Sequence, residues 1–130
     1  IFYVIAILGY LYFFCSIFIV ILLSFNYSFC NWLILPKNKN IYLQFESFFV
    51  LINGFVLITS APFNWIIGIL MIFHAYGVYV LLFTSADFYN SIEEFKEVVP
   101  QEKFLDLLAV LFYGIIGFII IYSPFLIGGS

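Results

Sequence analysis

The chain has 130 residues, 66% of them hydrophobic and only 8% charged, with a net charge of −3 and a mean hydropathy of +1.22. A soluble domain of this size keeps much of its surface in water and carries about 25% charged residues, so this composition excludes a soluble fold and makes lipid the solvent for most side chains. Four lysines and no arginine in a net-acidic chain exclude nucleic acid as a partner, because phosphate recognition needs clustered cations.

A helix crosses roughly 30 Å of hydrocarbon with about 20 apolar residues. The first such run is IFYVIAILGYLYFFCSIFIVILL, residues 1–23, without a charge. It is too long for the apolar region of a signal peptide and has no basic flank. Because the chain opens at Ile1 and not at a methionine, something upstream is expected to be processed, trimmed or absent.

A loop over 24–42 leads to a second span at about 43–60, LQFESFFVLINGFVLITS, with Glu46 near one end and Asn53 inside. The link SAPFN (60–64) carries Pro62 at a helix boundary. The third span is about 64–84 and holds His74, the single histidine of the chain. A polar loop, 85–103, follows, in which Ser91 and Glu94 have capping-box spacing and predict a short amphipathic surface helix around 91–99, before Pro100. Gln101 and Glu102 then precede the fourth span, 104–123, where negative charge suits a helix N-terminus. Pro124 is expected to follow that span, with Gly128 and Gly129 closing the chain. The fold class is therefore an all-α integral membrane protein, 1–130 as one domain, with four transmembrane helices in an antiparallel bundle.

Lys37 and Lys39 lie in the first loop, Lys96 and Lys103 in the third. With four spans these loops share a side, and the positive-inside rule makes it the cytoplasm or, in a mitochondrion, the matrix. Gly77, Gly114 and Gly117 are small enough to let the third and fourth spans approach closely. Trp32 and Trp65 fall near the interfaces where amphipathic rings belong, while Tyr113 and Tyr122 read as packing residues.

An ionisable group inside a bilayer faces protein or water and marks a functional position by default. His74 therefore carries three readings: a haem axial ligand, an imidazole hydrogen-bonded to a neighbouring helix or partner, or a group that handles protons or quinone. Asp87 reads as an interfacial carboxylate linked to quinone or protons, or as a solvated capping residue, and Glu46 invites the same pair. Pairings of Glu46 with Lys103 and of Asp87 with Lys96 are open, and Asn53 reads as an interhelical hydrogen-bonding residue. The acidic group Glu93, Glu94, Glu97 and Glu102 is a solvated or docking surface without a histidine to make a metal site. Cys15 and Cys30 form no metal-ligand pattern and are not expected to pair. No nucleophile–base order, phosphate loop or CxxC is present, so the chain is not catalytic alone. The abundance of Phe and Tyr, 19 and 10 residues, together with Ile, Asn and Lys, points to A/T-rich coding, as in an organellar or protist gene.

Residues 43–123, with His74, then Gly77, then Asp87, Phe88 and Tyr89, resemble the three-span membrane-anchor subunit of succinate dehydrogenase. The resemblance implies His74 as ligand of haem b, the only way in which this histidine would hold a metal, with Asp87 and Tyr89 lining a ubiquinone pocket at the matrix end. The family places the histidine and aspartate about eleven residues apart, on one helix face. The spacing from His74 to Asp87 turns a helix by about 1300°, some 140° off that face, so a helix that ends or bulges near Thr84 is required. The run from Pro62 to Phe88 also looks like a span of the sixth small membrane subunit of respiratory complex I, with Tyr113-Gly114 a fainter echo, and small four-span Golgi proteins are similar in layout. The expectation is thus a small polytopic subunit of a mitochondrial respiratory-chain complex, anchoring it in the inner membrane among other membrane subunits, the bilayer and lipids such as cardiolipin. The alternatives are a cofactor-free accessory subunit of complex I or ATP synthase, a free-standing tetraspan scaffold or sorting protein of the secretory pathway, and a transporter fragment, the last weakened by the scarcity of intramembrane charge.

Overall fold

The computed structural model describes residues 2–60, 63–101 and 103–127. Among them, four long apolar helices span a membrane by length and composition: α1 (Phe2–Ser24), α3 (Lys39–Thr59), α4 (Trp65–Phe83) and α6 (Phe104–Leu126), with α2 (Phe29–Leu33) and α5 (Ser85–Val98) as shorter elements. At 1.5 Å per residue the 23-residue α1 and α6 reach about 34 Å, enough for the hydrocarbon core. The all-α membrane bundle expected from composition is the fold observed. Pro62, Glu102, Gly128 and Gly129 lie outside the described residues.

The spans pack as two antiparallel pairs, α1 with α6 and α3 with α4. In the first pair, a Cβ added to Gly9 would stand 2.5 Å from Ile121 Cγ1 and 2.9 Å from the Gly117 carbonyl, and one added to Gly117 would stand 2.8 Å from the Gly9 carbonyl. Two backbones therefore touch at this crossing, which only paired glycines permit. Further along, Ser16 Oγ donates to the Val110 carbonyl at 2.9 Å, and Gly114 leaves room for Ser16. In the second pair Gly54 faces Met71 and Gly68 faces Leu57, while Gly77 faces Glu46. The sequence-based pairing of the third and fourth spans through Gly77, Gly114 and Gly117 is thus corrected. Gly114 and Gly117 serve α1, and Gly77 serves α3, because an approach is decided by the partner's small residue as much as by one's own.

The ends of the helices are built from local chemistry. Asn26, at φ 59°, closes α1: its N–H bonds the Leu23 carbonyl and the Tyr27 N–H bonds the Leu22 carbonyl, both at 2.9 Å. This paired pattern terminates a helix with a left-handed residue, a conformation asparagine tolerates. Pro36–Asn38 forms a 3-10 turn that runs straight into α3, so the second span begins earlier than the expected residue 43. Thr84, at φ −131°, ends α4, and α5 restarts at once with Asp87 in its first turn, where an acid favours a helix N-terminus. The surface helix is therefore longer than the expected 91–99, and Ser91 lies inside it instead of capping it.

Pro124 does not follow the fourth span; α6 continues through it to Leu126. Proline removes the N–H that would bond the carbonyl four residues back, here that of Ile120. Ser123 Oγ donates to that same carbonyl at 2.7 Å, and Asn64, which caps α4 by accepting from Ile67 N–H, donates to Ser123 Oγ at 2.7 Å. The proline is tolerated because its orphaned carbonyl has a substitute donor.

Candidate functional site

On α3 the residues Glu46, Phe49 and Asn53 recur at helical spacing and are all buried, so one inward stripe carries one acid, one ring and one amide. It meets Tyr12 of α1 and His74 of α4, each 0% exposed. His74 Nδ1 lies 2.7 Å from Glu46 Oε2, and His74 Nε2 lies 2.9 Å from the Tyr12 hydroxyl. Asn53 Nδ2 donates to that hydroxyl at 2.9 Å and to the Phe49 carbonyl at 2.7 Å. The Phe49 ring stacks on the imidazole with centroids 4.8 Å apart, and Tyr12 meets Phe49 edge-on at 5.0 Å.

The protons in this chain follow from its donors. Asn53 Nδ2 bonds a carbonyl, which fixes the amide orientation, so the Tyr12 oxygen accepts from Asn53 and its single hydrogen goes to His74. Nε2 is then the bare nitrogen, Nδ1 carries the hydrogen, and Glu46 Oε2 accepts it. A one-directional series, Asn53 to Tyr12 to His74 to Glu46, links α3, α1 and α4 and returns to α3. Gly77 belongs to it sterically: a Cβ there would stand 3.3 Å from Glu46 Oε2.

The expected sites fare differently. His74 adopts the hydrogen-bonded arrangement, with both ring nitrogens engaged and the rings of Phe49, Tyr12 and Phe73 around it. These residues leave neither an unoccupied nitrogen nor room for a porphyrin, so they do not fit a haem. Asp87 is exposed in the first turn of α5. Tyr89 packs on Phe88, its hydroxyl is buried without a partner among the described residues, and burial holds it above the usual tyrosine range. The break at Thr84 carries both residues onto a different helix from His74, and no hydrogen bond joins them to it among the described residues. Glu46 pairs with His74 and not with Lys103, whose Nζ donates to Asn26 Oδ1 at 2.9 Å. Asn53 is the interhelical residue it was expected to be.

Two groups escaped the sequence reading. Tyr12 was hidden among the aromatic residues of a charge-free span. Asp106, 0% exposed in the first turn of α6, accepts from the Ser28 hydroxyl and, at 2.9 Å, from the Cys30 backbone N–H, tying α2 under the bundle. Its signal was available, since an acid inside a span is itself diagnostic. Burial first, and the Asp106 charge second, push the Cys30 thiol up to about 12.

Beneath α2, a cavity of about 120 Å³ is lined by Cys30, Tyr42, Phe45, Glu46, Ala109 and Tyr113 among others. A wider groove of about 490 Å³ runs between α2 and α5, with Trp32, Phe95, Lys96 and Gln101 on its walls. No group of three or more metal-ligating side chains occurs among the described residues. No protein-family model matches the chain, and no curated protein or solved structure matches it.

Proposed function

We propose that this chain is a small, cofactor-free polytopic subunit of a mitochondrial respiratory-chain complex, bracing the larger assembly in the inner membrane. The observation that carries this reading is the use made of the buried polar groups. Tyr12, Glu46, Asn53 and His74 are bonded to one another, and Asn64 and Ser123 to each other, so they hold helices together instead of presenting ligands. The perimeter is apolar, with Ile7, Phe14, Leu51, Ile58, Ile72 and Leu111 all more than half exposed, and offers itself to lipid or to other membrane subunits. Asp87, Glu93, Glu94 and Glu97 are exposed on α5, an acidic face suited to docking a basic neighbour. The four lysines, on the matrix side under the positive-inside rule, favour contact with anionic lipids such as cardiolipin.

Within the respiratory readings, the geometry around His74 favours an accessory subunit, as in complex I or ATP synthase, over the haem-bearing anchor of succinate dehydrogenase. The bonding of Tyr12, Glu46, Asn53 and His74 to one another also favours a second reading, a free-standing tetraspan scaffold. Native electrophoresis of mild-detergent membrane extracts separates them. Comigration with a large inner-membrane complex is expected. A monodisperse small particle, recovered from secretory membranes, would overturn the subunit reading.

A further inference from the structure

Glu46 is held by one oxygen. Oε2 accepts from His74, whereas Glu46 is one of the residues that line the cavity beneath α2 and its side chain keeps 11% exposure. The Tyr42 and Tyr113 hydroxyls belong to residues of the same wall, and among the described residues neither has a hydrogen-bond partner. A cavity of about 120 Å³ has room for about four waters at roughly 30 Å³ each, and a buried water needs two to four polar partners. Glu46 and the two tyrosines are the polar anchors for such water in an otherwise mostly apolar lining. The cavity lies between α2 and the lysine-bearing ends of α3 and α6, with Tyr42 and Glu46 of α3 and Ala109 and Tyr113 of α6 on its wall and Ile19 of α1 beside them.

We infer that Glu46 is a proton-exchanging carboxyl, served by water in this cavity from the lysine-bearing side, with His74 and Tyr12 as its positioning residues. A proton arriving through the cavity bonds to the carboxylate oxygen that His74 does not occupy. The carbonyl oxygen of the resulting acid, Oε2, still accepts from His74 Nδ1–H, so the series back to Asn53 is undisturbed and no helix has to move. Release returns the same proton to cavity water. The titratable groups that face Glu46 are His74 on α4, Tyr12 on α1, Cys30 on α2, Tyr42 on α3 and Tyr113 on α6, with Asp106 beside Cys30. No lysine lines the cavity. The site is independent of which assembly the chain joins.

Infrared spectroscopy of the full chain in lipid vesicles tests this. The expected result is a carboxylic-acid carbonyl band that weakens as the pH rises, is missing from Glu46→Gln but retained in Asp106→Asn, and shifts when the water is replaced by deuterium oxide. Tyr113→Phe, which removes a cavity hydroxyl and leaves the helix crossings alone, is expected to slow that shift several-fold. Three results would each overturn the inference: no such band at any pH, a band that persists in Glu46→Gln, or a band indifferent to deuterium. If Glu46→Gln fails to fold, carbodiimide modification of the unaltered chain, located by peptide mass, assigns the carboxyl instead. An adduct on Glu46 that declines with rising pH supports the site, and a Glu46 free of adduct at every pH removes it.

Discussion

His74 Nδ1 stands 2.7 Å from Glu46 Oε2, joining α4 to α3 between two buried side chains. Removing His74 leaves the Glu46 carboxyl buried without the donor it accepts from, and an unpaired buried polar group costs about 1–3 kcal/mol, more when it is charged. His74→Leu is therefore expected to destabilise the bundle strongly. Adding Glu46→Leu to it should recover part of the loss, with a coupling of about 1–3 kcal/mol between the two positions. Reversible unfolding in mixed micelles measures the cycle. Additive losses would mean that the pair contributes nothing beyond its separate parts.

At the α1–α6 crossing, Gly9→Ala and Gly117→Ala each place a methyl group within 3 Å of the opposing backbone carbonyl. Overpacking of this kind costs about 1–3 kcal/mol. Gly54→Ala meets the flexible Met71 Sδ at 3.4 Å and should change stability by less than about 0.5 kcal/mol. The same unfolding assay ranks the three, and equal tolerance at all of them would contradict the crossing.

Ser123→Ala removes the donor to the Ile120 carbonyl and the acceptor for Asn64. Leaving buried groups unpaired costs about 1–3 kcal/mol. In a Pro124→Ala background the loss should shrink, because the restored backbone N–H takes the Ile120 carbonyl. An undiminished loss would show that Asn64 alone accounts for the role of Ser123.

Cys30 gives a pH prediction. Burial and then Asp106 raise its thiol to about 12, and the thiolate is the reactive form. Below about 12 the thiolate fraction, and with it the alkylation rate, should climb about tenfold per pH unit from neutrality upward. Asp106→Asn removes the repelling charge and should quicken alkylation at any fixed pH. A rate that levels off near pH 9 in the unaltered chain would contradict the buried, acid-flanked setting.

The spans were legible because each is a run of about 20 apolar residues, a one-dimensional signal that needs no partner. Their pairing was not. Gly117 announces a small surface, but only Gly9 on a distant helix says which surface it meets. Pro124 was read as a stop because proline lacks an N–H, and the hydroxyl that compensates for it comes from its neighbour Ser123, whose orientation is set by Asn64 across the bundle. At the site, His74 was conspicuous as the only histidine, and Asn53 and Glu46 as polar residues in apolar runs. Tyr12 was invisible among the rings, so the series that closes both imidazole nitrogens could not be drawn from the sequence.

That series is most directly read by nitrogen-15 NMR of His74, which needs no assignment because the chain has one histidine. The spectrum should be recorded on the labelled protein in lipid and in its native assembly. The expected result is one protonated nitrogen, Nδ1, coupled to the Glu46 carboxyl, and one bare Nε2 accepting from Tyr12, with no iron-induced shift in either preparation. An Nε2–H tautomer, or an Nε2 signal displaced by iron in the assembly, would contradict the closed polar series and the cofactor-free reading built on it.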